Sequence, residues 1–102
     1  MADYAFHPDA LQEYADATTY YLREASATVA ERFVAAVEAA VASVVAAPDL
    51  WRVVEEPGIR RYVLRRFPHV LYYRWDAERE FVTIFAVMHC SREAGYWKQR
   101  ID

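Results

Sequence analysis

Hydrophobic residues in the first half of the chain recur at the spacing of two amphipathic helices. The first stripe follows Pro8, a residue that suits the first turn of a helix because its missing N–H has no partner there. Its members are Leu11, Tyr14, Ala15, Thr18, Tyr21, Leu22 and Ala25. The members of the second stripe are Phe33, Val34, Val37, Val41, Val44 and Val45. The spacing predicts an antiparallel helical hairpin over residues 8–47.

Polar residues and prolines set the predicted ends of these helices. Residues 26–28 interrupt the apolar pattern, and Thr28 with Glu31 has the spacing of a capping box. In that motif the hydroxyl accepts from the third helical N–H and the carboxylate reaches back to the first residue. We therefore expect the second helix to begin at Thr28 and to end before Pro48.

The second half of the chain reads as strands. A short strand at residues 3–6 precedes the helices, and residues 48–58 form a connection. The strands expected after it are residues 59–67, 70–75 and 81–88. The first of these is rich in arginine and suits an exposed edge, whereas the last is almost wholly apolar and suits the most buried, central position.

Together these elements predict an α+β fold. Their order is β-α-α-β-β-β with a short C-terminal helix at residues 93–100. A helical hairpin packed on one face of a small, largely antiparallel, twisted sheet would bury both helical stripes. The length of 102 residues predicts a single domain over residues 1–102.

Composition narrows the class of protein. The chain is 56% hydrophobic and 16% aromatic, which is enough to pack a core. One cysteine, Cys90, cannot form an internal disulfide, and no apolar run is long enough to span a membrane. The N-terminus lacks the regions of a signal peptide. We therefore expect a cytoplasmic protein without membrane contacts, and we expect Cys90 to be a small buried side chain.

Charge divides the chain into two halves of opposite sign. Residues 1–58 carry three basic and ten acidic side chains, whereas residues 59–102 carry nine basic and five acidic ones. The net charge of −3 conceals this asymmetry. A basic half indicates an anionic partner. The alternative interpretation is a compositional bias towards arginine, with eleven Arg against one Lys.

Several kinds of chemistry lack the residues they require. The chain has two glycines, so no glycine-rich loop can wrap a nucleotide phosphate. His7, His69, His89 and Cys90 do not have the spacing of metal ligands. No nucleophile elbow is present. The sequence therefore predicts neither a cofactor nor a metal.

Arginines on the first long strand are the main candidates for a functional surface. Alternation separates Arg61 and Arg65 from Arg60, and we expect the former pair to project from one face beside Tyr73. The guanidinium fork binds phosphate or carboxylate through paired hydrogen bonds. The alternative is a solvated edge whose arginines prevent edge-to-edge pairing.

A second group of candidates lies near the C-terminus. His89 ends the last strand and Arg92 follows it; a histidine there can act as a general acid or base or can be purely structural. Tyr96 and Trp97 can stack on a base or anchor the C-terminal segment to the core.

Segments along nearly the whole chain, in one order, resemble the toxins of the RelE/ParE superfamily of type II toxin–antitoxin systems. The likeness is greatest to the ParE-like, plasmid-stabilisation branch. The matching segments are residues 4–10, Tyr20-Tyr21, residues 31–33, Pro48, residues 59–61, residues 65–74 and residues 86–97.

The resemblance implies one of two activities. The ribonuclease branch cleaves mRNA in the ribosomal A site, where a 2′-OH attacks the adjacent phosphate. Its implied catalytic residues here are Arg61, Arg65, His89, Arg92 and Tyr96. That branch usually has an arginine where this chain has Val70, and an aliphatic side chain cannot stabilise a developing phosphorane charge.

The ParE branch instead inhibits DNA gyrase by protein–protein contact and needs no catalytic residue. Both branches imply a cognate antitoxin whose disordered segment folds onto the toxin in a hetero-oligomer, with operator DNA bound only through the antitoxin. A toxin-derived remnant that retains only antitoxin binding is a third possibility. The residues expected to bind an antitoxin or target are Arg60, Arg61, Arg65, Arg66, Tyr73 and Trp97.

Overall fold

A computed structural model of the chain describes residues 2–101. Its elements in chain order are β1 (Asp3–Phe6), α1 (Pro8–Glu24), α2 (Ala27–Ala46), β2 (Val53–Glu55), β3 (Ile59–Val63), β4 (His69–Asp76), β5 (Phe81–His89) and a C-terminal 3-10 helix (Tyr96–Arg100). One sheet contains the five strands in the order β1-β5-β4-β3-β2. β1 pairs with β5 in parallel, and the other neighbours are antiparallel. The α+β fold predicted from the sequence is confirmed.

The start of α2 differs from the prediction. Ser26 is the N-cap, with extended backbone angles, and its hydroxyl accepts a hydrogen bond of 3.1 Å from the amide of Val29. The capping box at Thr28 and Glu31 is therefore wrong, because a helix that already begins at Ala27 places Thr28 inside its first turn. At the start of α1 the ring of His7 caps the helix and Pro8 occupies the first helical position, as predicted.

Three features of the sheet were also predicted wrongly. β3 ends at Val63 rather than at residue 67, and Arg66 has a left-handed φ of 67° that a strand cannot contain. The short strand β2, which lies inside the predicted connection, takes the edge position beside β3. The central strand is β4, and β5 lies between β4 and β1.

The core lies between the helices and one face of the sheet. Its helical part is the predicted stripe of α2, with Phe33, Val37 and Val44 fully buried. The sheet residues of the same cluster are Leu71, Tyr73, Val82, Ile84 and Val87, and Leu64, which follows β3, joins them. Among residues 2–101, no helix combines the length and the apolar character needed to cross a bilayer.

The C-terminal 3-10 helix covers part of the opposite face of the sheet. Trp97 is buried there, and its ring stacks on Tyr72 with centroids 4.6 Å apart. The rest of this smaller cluster is Ile59, Phe85, Ala86 and Met88. Lys98 forms an ion pair of 2.6 Å with Glu55 of β2, so the helix connects to the sheet edge as well.

Tyr73 connects the loop after α2 to the centre of the sheet. Its side chain is fully buried, and its hydroxyl donates a hydrogen bond of 2.7 Å to the carbonyl of Pro48. Burial raises the pKa of Tyr73 to about 12, so the hydroxyl keeps its proton at any physiological pH.

Replacement of Tyr73 by Phe should lower the free energy of unfolding by about 1–2 kcal/mol, because the carbonyl of Pro48 loses its partner. The matched control is Tyr20→Phe, since Tyr20 is 61% exposed and should be neutral. Urea denaturation measures both. Equal stability of the two variants would contradict a role for the Tyr73 hydroxyl.

Candidate functional site

The candidate site is built where the parallel strand β1 stops. β1 pairs with β5 only as far as Phe6 and Ile84, so within residues 2–101 no strand lies beside the outer edge of β5 beyond that point. Side chains replace the missing strand. The amide of Val87 donates to Oε1 of Glu13 at 3.0 Å, and the carbonyl of Phe85 accepts from Nη1 of Arg100 at 2.8 Å.

The two replacing side chains also bind each other. Arg100 donates through Nη1 and Nη2 to the two carboxylate oxygens of Glu13 at 3.1 and 3.0 Å. Their side chains are 10% and 17% exposed. Burial alone would lower the pKa of Arg100, but the hydrogen bonds and charge of Glu13 outweigh it and raise that pKa. Arg100 therefore stays charged, and its paired hydrogen bonds to Glu13 hold the C-terminal helix against β5.

Tyr96 is the third member of this cluster. Its hydroxyl donates to Oε2 of Glu13, and the guanidinium of Arg92 lies over its ring, 4.0 Å from the centroid. Burial raises the pKa of the Tyr96 hydroxyl, and the bond to Glu13 raises it further. Tyr96 thus retains its proton and directs it to Glu13.

His89 has one ring nitrogen occupied. Its Nδ1 accepts from the backbone amide of Ser91 at 3.0 Å and lies 2.7 Å from the hydroxyl of that residue. Because an amide only donates, the neutral ring carries its proton on Nε2. In this arrangement His89 is a donor at Nε2 rather than a base.

His69, which the sequence analysis did not assign to a site, lies beside His89. The two ring centroids are 5.1 Å apart, and His69 is 3% exposed against the rings of Tyr21 and Phe33. Within the described chain its Nδ1 has no hydrogen-bond partner. Burial lowers the pKa of His69 to about 4, with a smaller contribution from His89, so the ring is neutral at pH 7.

One cavity of about 200 Å³ opens onto this cluster. Its polar lining is Glu13, Asp16, His69, His89, Arg92 and Tyr96. The structure thus brings together three of the residues predicted to be catalytic, His89, Arg92 and Tyr96. Glu13 and Arg100 were missed, because Glu13 lies off the apolar stripe of α1 and is separated from its partner by 87 residues.

The other two predicted catalytic residues line a different cavity. Arg61 and Arg65, with Arg52, border an opening of about 550 Å³ along β3. Arg65 also borders a groove of about 590 Å³ between α2 and the turn after β3, together with Arg32 and Arg66. The predicted residues therefore form two groups rather than one site.

Four expectations about single side chains were wrong. The register places Tyr72 opposite Arg61 and Tyr73 opposite Arg60, so Arg61 does not lie beside Tyr73. Tyr73 and Trp97 are buried and present no surface to a partner. Cys90, expected to be buried, is exposed.

Arg60 also has a structural contact. Its guanidinium donates to the carbonyls of Trp51 and Asp49, which fixes the loop before β2.

Among residues 2–101, no three His, Cys, Asp or Glu side chains are grouped as a metal ion would require.

Residues 4–94 match the family model of the ParE toxin of type II toxin–antitoxin systems, parDE. The chain belongs to the ParE toxin family. The resemblance to RelE/ParE toxins predicted from the sequence is confirmed. The chain is a toxin of the type II toxin–antitoxin class. No curated protein sequence shows significant similarity to this ParE-family toxin.

Solved toxins share the fold at low sequence identity. The chromosomal ParDE toxin–antitoxin system of P. aeruginosa matches with a TM-score of 0.72 at 20% identity, covering 87% of this chain and 96% of that one. The isolated E. coli RelE toxin matches with a TM-score of 0.64 at 21% identity over all of both chains. The intact E. coli RelBE toxin–antitoxin complex matches with a TM-score of 0.64 at 20% identity, covering 90% and 100%.

Replacement of Glu13 by Gln in this ParE-family toxin should lower the free energy of unfolding by about 2–3 kcal/mol, because Arg100 loses its counter-charge in a mostly buried position. Amide exchange should also accelerate at Val87 and across residues 96–101. Glu31→Gln, on the exposed face of α2, is the matched control and should change neither quantity. Unaltered exchange at the C-terminus would show that the ion pair does not hold the 3-10 helix.

The pKa of His69 predicts a pH dependence of stability. The ring of His69 has a pKa of 6.5 in the unfolded chain and of about 4 in the folded chain. Between these pH values the unfolded chain therefore binds one proton more than the folded chain. The free energy of unfolding is therefore highest above pH 6.5 and should fall by about 1.4 kcal/mol per pH unit below it, levelling off near the folded pKa.

Urea denaturation at several pH values measures this slope. His69→Gln removes the titrating ring and should flatten the slope, whereas His89→Gln, at an exposed position, should retain most of it. Equal slopes in the wild type and His69→Gln would contradict the assignment.

Proposed function

We propose that this ParE-family toxin is neutralised by a cognate antitoxin and inhibits DNA gyrase by binding it, without cleaving RNA. The observation that carries the proposal is the division of the candidate nuclease residues between two cavities. Arg61 and Arg65 line one of them, and His89, Arg92 and Tyr96 line the other. Phosphoryl transfer needs its charge-stabilising and proton-transferring groups around one reacting phosphate.

His89 and Tyr96 are also poorly suited to proton transfer in the cavity that they line. A nuclease would need a base for the 2′-OH within hydrogen-bond reach. His89 is occupied at Nδ1 and carries its proton on Nε2, and the hydroxyl of Tyr96 is committed to Glu13 with a raised pKa. Each group would have to break an existing hydrogen bond before it could act as a base.

The position of Val70 supports the same conclusion. The side chain is 6% exposed and sits in β4 opposite Met88 and Val63. A buried aliphatic residue supplies no charge to a phosphorane, whereas the family resemblance places an arginine there in the ribonucleases. Inhibition of gyrase by protein–protein contact requires no charged side chain at Val70.

An antitoxin partner follows from the family and from the charge of the surface. The ParDE system and the RelBE complex that share the fold are toxin–antitoxin assemblies by name. On this chain Arg32, Arg65 and Arg66 border an alanine-lined groove beside α2, a surface suited to a segment that combines carboxylates with apolar side chains. The hetero-oligomer would bind operator DNA through the antitoxin alone.

A ribosome-dependent endoribonuclease is the second candidate function. It is favoured by the convergence of His89, Arg92 and Tyr96 on one cavity of about 200 Å³. In that case Arg92 would bind the phosphate while the 2′-OH loses its proton to water and attacks the phosphorus. His89, protonated on both ring nitrogens after its Nδ1 leaves the amide of Ser91, would donate the Nε2 proton to the departing 5′ oxygen.

Pulse-labelling after expression of the toxin without antitoxin should distinguish the two functions. For a gyrase inhibitor, incorporation of thymidine falls first while incorporation of methionine continues. The purified protein should inhibit supercoiling by gyrase and should leave ribosome-bound mRNA intact. An early collapse of translation would contradict the proposal, and no effect on either synthesis would leave only a remnant that binds antitoxin.

Two sets of variants sharpen the comparison. His89→Ala with Arg92→Ala removes two exposed side chains of the 200 Å³ cavity and should preserve growth inhibition if the target is gyrase. Loss of inhibition in a folded double variant would favour the ribonuclease. Arg79→Ala, in the exposed turn between β4 and β5, is the control for removal of a surface charge.

A further inference from the structure

Helix α1 carries more apolar surface than the sheet covers. Ala10 is fully buried, and Tyr14 and Tyr21 pack against the core from the same side of the helix. A second row recurs at i, i+4, i+7 and i+11 and therefore lies along a neighbouring face; its members are Leu11, Ala15, Thr18 and Leu22. The two leucines of this row are 53% and 54% exposed. The fold thus leaves one apolar face of α1 open.

The open row forms one wall of a groove between the two helices. Its C-terminal part, Thr18 and Leu22, lines a cavity of about 290 Å³ with Ala27, Ala30, Glu31 and Val34 of α2. The helices continue side by side beyond this cavity, because the hydroxyl of Tyr14 donates to Oε1 of Glu38 at 3.2 Å. Leu11 and Ala15 extend the row in that direction. The hairpin groove is the surface lined by Leu11, Ala15, Thr18, Leu22, Ala27, Ala30 and Val34.

The charged side chains at the hairpin groove are carboxylates. Glu31 lines its cavity, and Glu38 lies seven residues further along the same face of α2. Both are exposed, and within residues 2–101 no ion pair involves either of them. The arginines of the two helices, Arg23 and Arg32, line other cavities. The hairpin groove therefore combines an apolar surface with negative charge that the chain itself does not compensate.

We infer that the hairpin groove is the surface through which this toxin binds gyrase, and that it accepts an amphipathic helix bearing lysine or arginine. This inference rests on the proposed function. Apolar side chains of such a helix would contact Leu11, Leu22 and Val34, and its basic side chains would pair with Glu31 and Glu38. Inhibition by contact requires an exposed recognition surface, and the hairpin groove supplies one without any catalytic group.

Other occupants are less suited to the carboxylates. A second copy docked through the same groove would bring Glu31 and Glu38 of both chains into one interface, where like charges repel each other. Nucleic acid is an anion and would be repelled in the same way. An acidic segment suits the arginine-lined groove on the other side of α2 but not this one. A basic partner is the one that the charge of the hairpin groove favours.

Helix α2 separates the hairpin groove from the arginine-lined groove. Glu31 and Val34 line the former, whereas Arg32, Ala35 and Ala39 line the latter. The two surfaces are therefore about one helix diameter apart, roughly 10 Å. A bulky protein bound at one of them would obstruct the other, so occupation of the arginine-lined groove would oppose gyrase binding.

The first test measures inhibition of gyrase supercoiling by purified variants of the full chain. Leu11→Ser with Leu22→Ser should raise the half-inhibitory concentration about tenfold, because two side chains lose their apolar contact with gyrase. Leu50→Ser is the matched control, since Leu50 is 69% exposed in the loop after α2 and should leave inhibition unchanged. Circular dichroism establishes that each variant is folded.

A second test removes the carboxylates and follows binding to gyrase by surface plasmon resonance. Glu31→Gln with Glu38→Gln keeps an acceptor for Tyr14 and should weaken binding about threefold to tenfold at low salt. The affinity of the wild type should fall as salt rises, and that of the double variant should fall less. Glu24→Gln with Glu78→Gln removes the same charge at other exposed positions and should behave as the wild type does.

Hydroxyl-radical footprinting of the wild type needs no variant and should show protection of Leu11, Leu22 and Val34 when gyrase is added. Protection confined to other surfaces, or equal inhibition by the wild type and the folded leucine variant, would overturn the inference and leave gyrase inhibition intact. Absence of inhibition by the wild type would overturn the proposed function as well, so the two failures are distinguishable. A wild-type dimer that dissociates on the leucine substitutions would overturn the inference by assigning the groove to a second copy.

Discussion

The organisation of the C-terminal third depends on the early end of β1. A parallel strand that stops at Phe6 leaves the N–H of Val87 and the C=O of Phe85 without strand partners, and a buried polar group without a partner is costly. Glu13 and Arg100 supply an acceptor and a donor at the spacing of the missing strand. Because they also neutralise each other, the sheet edge is completed without an uncompensated charge in a mostly buried position.

This ion pair has consequences for the C-terminal helix and for Tyr96. Arg100 ends the C-terminal 3-10 helix, so holding it against β5 also holds Trp97 over Tyr72 and closes the second apolar cluster. Glu13 also accepts the hydrogen bond of the Tyr96 hydroxyl, and Tyr96 packs against the same cluster. The contact that stabilises the fold therefore occupies the hydroxyl that a nuclease would need for proton transfer.

The sequence predicted the buried face of α2 but not that of α1, where Leu11 and Leu22 of the predicted stripe are 53% and 54% exposed, and it failed where long-range register decides. The apolar stripe of α2 is the buried face observed, because a helix that packs on a sheet must show it. Which face of β3 meets the helices is set by pairing with β4, so the position of Arg61 relative to Tyr73 could not be read from alternation alone. The register shift between β4 and β5 at Tyr72 and Tyr73 adds a further change of phase.

The same limit explains the residues that were missed. His69 is a polar side chain at the start of β4, and the rings of Tyr21 and Phe33 that pack against it explain its burial. In the sequence Glu13 has the appearance of a solvent-facing helical residue. Its contact with Val87 exists only because β1 stops pairing with β5 before that point. Both positions are defined by elements distant in sequence, and neither has a local signal.

The charge asymmetry of the sequence survives folding. The acidic helices do not neutralise the basic strands: within residues 2–101, no ion pair involves Arg61, Arg65 or Arg66. Arg100 is paired and Arg60 is bound to carbonyls, whereas Arg61, Arg65 and Arg66 stay exposed. These three arginines border the cavity along β3 and the groove beside α2. An acidic partner that spanned both would neutralise the charge that the fold leaves unpaired.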